Sequence, residues 1–311
     1  MKSLLQPKKS RRIFLLLIVS LLAIIILLRI FVIVNFHPEI IKGVSTEEPM
    51  WHALVLKLLD GIFVSLIVTV SVGLFMFYIE VPDNDKKFDI IESLRLEELF
   101  DAELAQTDTW HFSGGMGRHT RAKTIPLMDK SARSSNRHKS LKIHLLDPSD
   151  EKICGAYSSY RGSLSSAKRG KVQWSLQFVR RELLSTVLVA AIYKTNNPNF
   201  DIILKFKSVF STLRIDLSSR AALITKEDRA EPALMCRSES FLFKAYQEEA
   251  AQTFKLNLPI DIQLADKYQV KKITFQDVQK MLNELSLDMN LSEDDYKAIC
   301  KIIRDNDNPY A

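Results

Sequence analysis

Cysteine is scarce in this sequence: Cys154, Cys236 and Cys300 are the only three in 311 residues. They lie far apart, with no Cys-x-x-Cys pair and no histidine spacing of the kind that holds zinc. An odd, scattered set excludes a disulfide framework and a structural metal site, and predicts reduced thiols packed as small core residues. Gly-Lys-Ser/Thr and the dinucleotide-binding glycine turn are both missing, so neither nucleotide fingerprint is present. The run Val32-Ile33-Val34-Asn35-Phe36-His37-Pro38 offers no small-x-small cleavage site, and a retained apolar segment is expected rather than a cleaved signal peptide. Repeats and low-complexity tracts are missing too, and no cofactor or metal is expected.

What is present is unevenly distributed. Two apolar segments, 13–36 and 61–79, flank a short polar stretch, and each is long enough as a helix for ~30 Å of hydrocarbon at ~1.5 Å per residue. A basic tail, residues 1–12, precedes them with Lys2, Lys8, Lys9, Arg11 and Arg12. The intervening stretch carries Glu39, Glu47 and Glu48 against Lys42. By the positive-inside rule this predicts a transmembrane hairpin over 13–80, a multi-pass protein whose N-terminus and C-terminal domain are both cytoplasmic.

Inside that hairpin, Arg29 is costly at mid-bilayer, which leaves two readings: it snorkels to the interface, or it pairs with Asp60 across the two helices. Gly61, Ser65, Thr69 and Gly73 recur every four residues and form a small-residue ridge. Such a ridge serves packing within the hairpin or self-association between copies.

Residues 81–105 read as a linker helix, from the spacing of Phe88, Ile91, Leu94, Leu99, Phe100 and Leu104. An α/β domain is expected over 106–257. It opens with an aromatic strand, Trp110-His111-Phe112, that breaks into Gly114, Gly115 and Gly117 and then into a basic segment with Arg118, His119, Arg121 and Lys123. Backbone N–H groups and cations in this arrangement suit phosphate. A ligand-free strand-to-helix turn is the plainer reading. Residues 117–142 hold eight lysines and arginines against the single acid Asp129, an imbalance that favours an anionic partner at Arg118, Arg121, Lys123, Arg133, Arg137 and Lys139. A helix over 178–193 and strands over 202–206, 212–217 and 221–225 follow. Arg214 and Asp216 share one strand face, and Ser218, Ser219 and Arg220 form a turn able to hold an anion. An exposed ion pair beside a hairpin turn explains these residues as well. From residue 258 the composition turns acidic, with helices over 275–285 and from Ser292, where Asp295 completes a capping box; a small helical appendage over 258–311 is expected.

The stretch 110–254 resembles a single, degenerate phospholipase-D-like unit. It shares the Trp-x-Phe-x-Gly opening, Gly117-Arg118 and Arg121, the Asp147-Pro148 strand end, and Phe210, Arg214, Asp216 and Ser218-Ser219-Arg220. The resemblance implies a mixed sheet between helices. His119-Thr120-Arg121 approximates the first half of the catalytic His-x-Lys pattern, but proline stands at position 126 and no second copy exists, so no catalytic residue is assigned. With two apolar segments ahead of such a unit, the chain resembles the two-transmembrane effectors of bacterial retrons, which are anti-phage systems. That implies a reverse transcriptase with an RNA–DNA hybrid as partner, and a non-enzymatic effector that, once released, disrupts the bacterial inner membrane and arrests growth or kills the cell. The alternative is a membrane-tethered phosphodiesterase or nucleotide sensor in which His119 attacks and Arg121, Arg214 and Arg220 grip phosphate.

Overall fold

The computed structural model describes residues 20, 23–28, 30–31, 34, 50–79, 87–165, 167, 172–228, 231–287 and 289–306. They fall into two units, Met1–Asp85 and Lys86–Ala311.

In the first unit the described element is helix α1, Met50–Ile79. It starts eleven residues ahead of the expected second span and so takes in Trp51, His52, Lys57 and Asp60. Among the described residues no helix is long and apolar enough to cross a membrane. Helix α1 carries Lys57 and Asp60 in its first half and Ser65, Thr69 and Ser71 along its length, polar groups that a hydrocarbon interior disfavours. The expected transmembrane hairpin, and the multi-pass inner-membrane placement drawn from it, are corrected on this ground. Arg29 and the basic tail lie outside the described residues, and with Arg29 the pairing to Asp60. Along the small-residue ridge, Thr69 Oγ1 donates back to the Ser65 carbonyl at 2.8 Å. A Cβ added at Gly61 would meet no atom within 4 Å.

The second unit is built on an eight-stranded sheet of order β1-β7-β6-β5-β2-β3-β4-β8. Its strands are β1 Phe88–Ile91, β2 Thr109–Ser113, β3 Lys139–Leu146, β4 Phe200–Lys207, β5 Leu213–Leu217, β6 Ala221–Lys226, β7 Ala233–Arg237 and β8 Pro259–Ile260. The pairs β2–β3 and β3–β4 are parallel, and the other pairs are antiparallel. The mixed sheet implied by the resemblance is therefore present. The segment expected as a linker helix is split. Phe88–Ile91 pairs with β7 at the sheet edge, and only Leu96–Ala105, helix α2, is α-helical after a 3-10 turn at Ser93–Arg95.

Helices fill the connections: α3 Ile125–Ser135, α4 Glu151–Ser163, α5 Leu176–Asn196, α6 Phe241–Lys255, α7 Phe275–Glu284 and α8 Glu293–Asp305. Helix α5 is central. Every residue from Glu182 to Ile192 is buried, the burial of a helix enclosed on all sides rather than lying on a surface. Ser175 caps its start, the hydroxyl accepting from the Phe178 N–H at 3.1 Å.

The sheet, α4 and α8 all pack on α5. This gives the C-terminal segment a different role from the appendage expected of it. Ile262, Leu264, Val278, Met281, Ile299 and Ile303 belong to the same core cluster as Leu141, Ile143, Leu188 and Leu204. The Ser292 capping box forms as its sequence predicts, with Asp295 bonding back to the Ser292 N–H at 2.9 Å. Asp295 also accepts from Arg181 Nε of α5 at 2.7 Å. The cysteines are buried thiols among the described residues. Because the last helices complete the cover of α5, Ile299→Ala should destabilise the whole unit by about 2–5 kcal/mol in a single cooperative denaturant transition. A chain ending at residue 257 should give no such transition.

Candidate functional site: polar groups on the two faces of the parallel strands

Alternation along β2 sends Trp110 and Phe112 to the α5 side and His111 and Ser113 to the other, and β3 and β4 repeat the division. Where β2 ends, Gly114, Gly115 and Gly117 carry the chain across the core. A Cβ at Gly114 would sit 2.5 Å from the Phe112 ring, one at Gly115 would overlap the Tyr157 hydroxyl, and Gly117 holds φ +67°. These glycines answer to close packing and a left-handed backbone. The segment after them is helical as expected, beginning with a π-helical turn at Thr120–Thr124.

The cations of that segment turn inward or to neighbouring acids. Arg121 is buried and meets Glu182 of α5 at 2.8 Å, the Glu182 carbonyl at 3.2 Å and Thr186 Oγ1 at 3.3 Å. Burial lowers its guanidinium pKa, and Glu182 acts against that shift. Arg118, a quarter exposed, lies 3.4 Å from the other Glu182 oxygen. Lys123 pairs with Glu97 at 2.8 Å, Arg133 with Asp129 at 2.9 Å and Lys139 with Asp108 at 2.6 Å. The eight-to-one excess counted along the chain is therefore largely neutralised in space, in part by acids from other segments.

A second buried network joins residues that the sequence singled out separately. Asp216 accepts from Trp110 Nε1 at 3.1 Å and from Arg214 Nε at 2.8 Å. Complete burial pushes its pKa up, against the pull of Arg214 and the Trp110 N–H. The Arg214 guanidinium lies 5.2 Å from the centre of the Phe100 ring, and the His119 ring is 5.0 Å from the same ring. His119 is 5% exposed. Burial, with Arg214 and Lys123 nearby, lowers its pKa to about 3. Ser218 closes the β5–β6 turn: its hydroxyl accepts from the Arg220 N–H at 3.0 Å and the Ala221 N–H at 2.9 Å. Ser219 reaches Thr107, and Arg220 bonds Gln106. Arg214 and Asp216 thus form a buried pair rather than an exposed one, and the Ser218 turn is occupied by its own backbone.

At the C-terminal ends of the parallel strands, where open α/β sheets bind ligands, Glu227 takes the place an anion would take. Its carboxylate accepts from the Gly115 N–H at 3.3 Å and lies 3.4 Å from Arg161, which also bonds the Glu227 carbonyl. Lys207, pushed down to about 8 by burial with Glu227 opposing, donates to Ser113 Oγ at 3.3 Å. Arg161 stands 4.7 Å from the centre of the Trp174 ring. Sequence reasoning passed over Tyr157, Arg161, Lys207 and Glu227. The i,i+4 spacing of Tyr157 and Arg161 on α4 was the available signal. No cluster of metal-ligating side chains occurs among the described residues.

No family model and no curated protein matches the chain. Among solved structures it is similar to TrmBL2, an archaeal chromatin protein described as showing a novel mode of DNA binding, at 9% identity and a TM-score of 0.33. That alignment covers 67% of this chain and 66% of the other. It is also similar to a phosphatidylserine synthase of Haemophilus influenzae Rd KW20, at 10% identity and a TM-score of 0.39, over 82% of this chain and 56% of that one. The chain thus spans about two thirds of the first structure and just over half of the second, and at such scores the likeness carries no functional argument.

Two outcomes follow from the buried groups. Arg121→Met should cost about 3–5 kcal/mol by stranding Glu182, whereas Arg121→Met with Glu182→Leu should recover most of that loss in denaturant titrations. His119 binds its proton near pH 6.5 when unfolded and only near 3 when folded. Its contribution is therefore complete above pH 6.5 and falls as acid is added, by about 2 kcal/mol between pH 6.5 and 5. His119→Gln should remove that part of the slope.

Proposed function

We propose that the chain is a non-enzymatic binding component of an anti-phage system, its Lys86–Ala311 unit engaging a reverse transcriptase with its RNA–DNA hybrid. The observation that carries the non-enzymatic half is the fate of His119 and Arg121. A nucleophile must reach phosphorus, and a cation must face the charge that develops there. His119 is buried against Phe100, and Arg121 is spent on Glu182. The phosphodiesterase alternative would need both residues turned outward, against the burial of a paired charge. The partner rests on the sequence resemblance to retron effectors. Membrane disruption forms no part of this reading.

The test is an assay of the full chain against bis(p-nitrophenyl) phosphate and a short oligonucleotide, together with co-purification with the reverse transcriptase and its hybrid. Turnover at background and a stable complex are expected. Turnover that disappears in His119→Gln at an unchanged melting temperature would overturn the non-enzymatic reading. Failure to co-purify would overturn the partner.

A further inference from the structure

The face of the parallel strands turned away from α5 collects positive groups that nothing in the sequence reading joined. In register, His111 of β2 stands beside Lys142 of β3, Ser113 beside His144, and His144 beside Lys205 of β4, with Lys207 two positions further on. Neighbouring strands are ~4.8 Å apart, so these side chains form a compact lattice. Phe254, near the end of α6, sits over it. Its ring centre lies 5.0 Å from that of His111 and 5.7 Å from that of His144. The ammonium groups of Lys205 and Lys142 are 4.5 and 6.0 Å from the same ring centre.

Like charges placed cross-strand repel one another. The charged groups acting on His111 are Lys142, His144 and Lys207, and those acting on His144 are Lys207 and Lys205. Glu227 reaches Lys207 alone of this group. Burial first, and these neighbouring cations after it, lower both imidazole pKa values to about 4 and hold the rings neutral, which limits the repulsion without cancelling the lysines. Among the described residues no carboxylate forms an ion pair with Lys142, Lys205 or Lys207. His111 Nε2 is buried without a hydrogen-bond partner. The contrast with Arg121, Lys123, Arg133 and Lys139, each matched by an acid, is sharp. Here Lys207 is offset only by Glu227 and Lys205 donates to the Phe254 carbonyl at 2.7 Å, while Lys142 and Lys205 have no acid as partner among the described residues.

We propose that this face is a phosphate-binding site, in which Lys142, Lys205 and Lys207 neutralise the phosphate oxygens and His111 donates its free N–H. It deepens the binding reading above, and rests on it for a nucleic-acid source, by saying where on the unit the phosphates sit. The same chemistry would accept a free polyphosphate.

The probes are inorganic pyrophosphate and a fluorescein-labelled single-stranded DNA oligonucleotide, added to the full chain and read by thermal shift and by anisotropy. Lys142→Gln with Lys205→Gln should weaken binding at least tenfold, and the exposed Lys142→Glu alone, which leaves the core intact, severalfold. Lys301→Glu, on the exposed side of α8, should leave it unchanged. Saturation by the oligonucleotide without pyrophosphate supports a nucleic-acid source, and the reverse supports a free polyphosphate. Absence of binding to either probe, or equal loss in Lys301→Glu, overturns the site. A chain that binds no phosphate yet co-purifies with the reverse transcriptase overturns the site and leaves the partner standing. A chain that binds phosphate at this face but fails to co-purify overturns the partner and leaves the site.

Discussion

A buried carboxylate on the central helix sets much of this architecture. Glu182 lies in helix α5 where that helix is enclosed on every side, and a charge there is tolerable only when paired and hydrogen-bonded. Arg121 supplies the pairing at 2.8 Å and Arg118 a second contact at 3.4 Å. To reach Glu182, the chain leaving β2 must turn sharply through Gly114 to Gly117 and enter the π-helical turn that presents Arg121 inward. Thr186, one turn along α5, ties the same loop by donating to the Met116 carbonyl at 2.8 Å. The loop is thus fastened to the helix it crosses.

That fastening has a functional consequence. Cations that look available for phosphate are consumed in holding the loop and the core, and His119 is carried into the interior with them. The Trp110–Asp216–Arg214 network does the same on the neighbouring strands, using a buried ion pair whose neutrality keeps the centre of the sheet closed. Glu227 closes the strand ends, where an open α/β sheet otherwise admits a ligand. The uncompensated charge lies on the opposite face, and a two-residue period puts it there. The residues alternating with the core-facing Phe112, Ile143 and Phe206 are Ser113, Lys142, His144, Lys205 and Lys207.

Much of the fold was legible along the chain, because local signals there agree with the tertiary outcome. The strand ending at Asp147-Pro148, the long helix through Val187 and Leu188, the β5–β6 hairpin and the Ser292–Asp295 capping box all form where their patterns place them. Phe88–Ile91 was misread because four residues between polar neighbours carry too little periodicity to separate strand from helix; pairing with β7 decides it. The C-terminal helices read as an appendage because their acidic surfaces dominate their composition, while Ile299 and Ile303 are buried against the core. The apolar N-terminal segments read as membrane spans from length and hydropathy. The helix that forms there starts at Met50 and takes in Lys57 and Asp60, and among the described residues no helix meets the requirement of a crossing.

By itself the sequence determined the element types of the α/β unit, the glycine-dependent turn after β2, the thiol state and the identity of the conspicuous charges. These follow from periodicity, turn chemistry and residue type, all of them short-range properties. Only the tertiary structure decided which charges are spent. Arg121 lies 61 residues from Glu182 and Arg214 lies 104 from Trp110, whose shared partner is Asp216. Pairing across such separations depends on which helix crosses which strand, and composition is blind to it. The same crossing leaves Lys142 and Lys205 without an acid among the described residues, and so gathers unmatched positive charge on the face beneath Phe254.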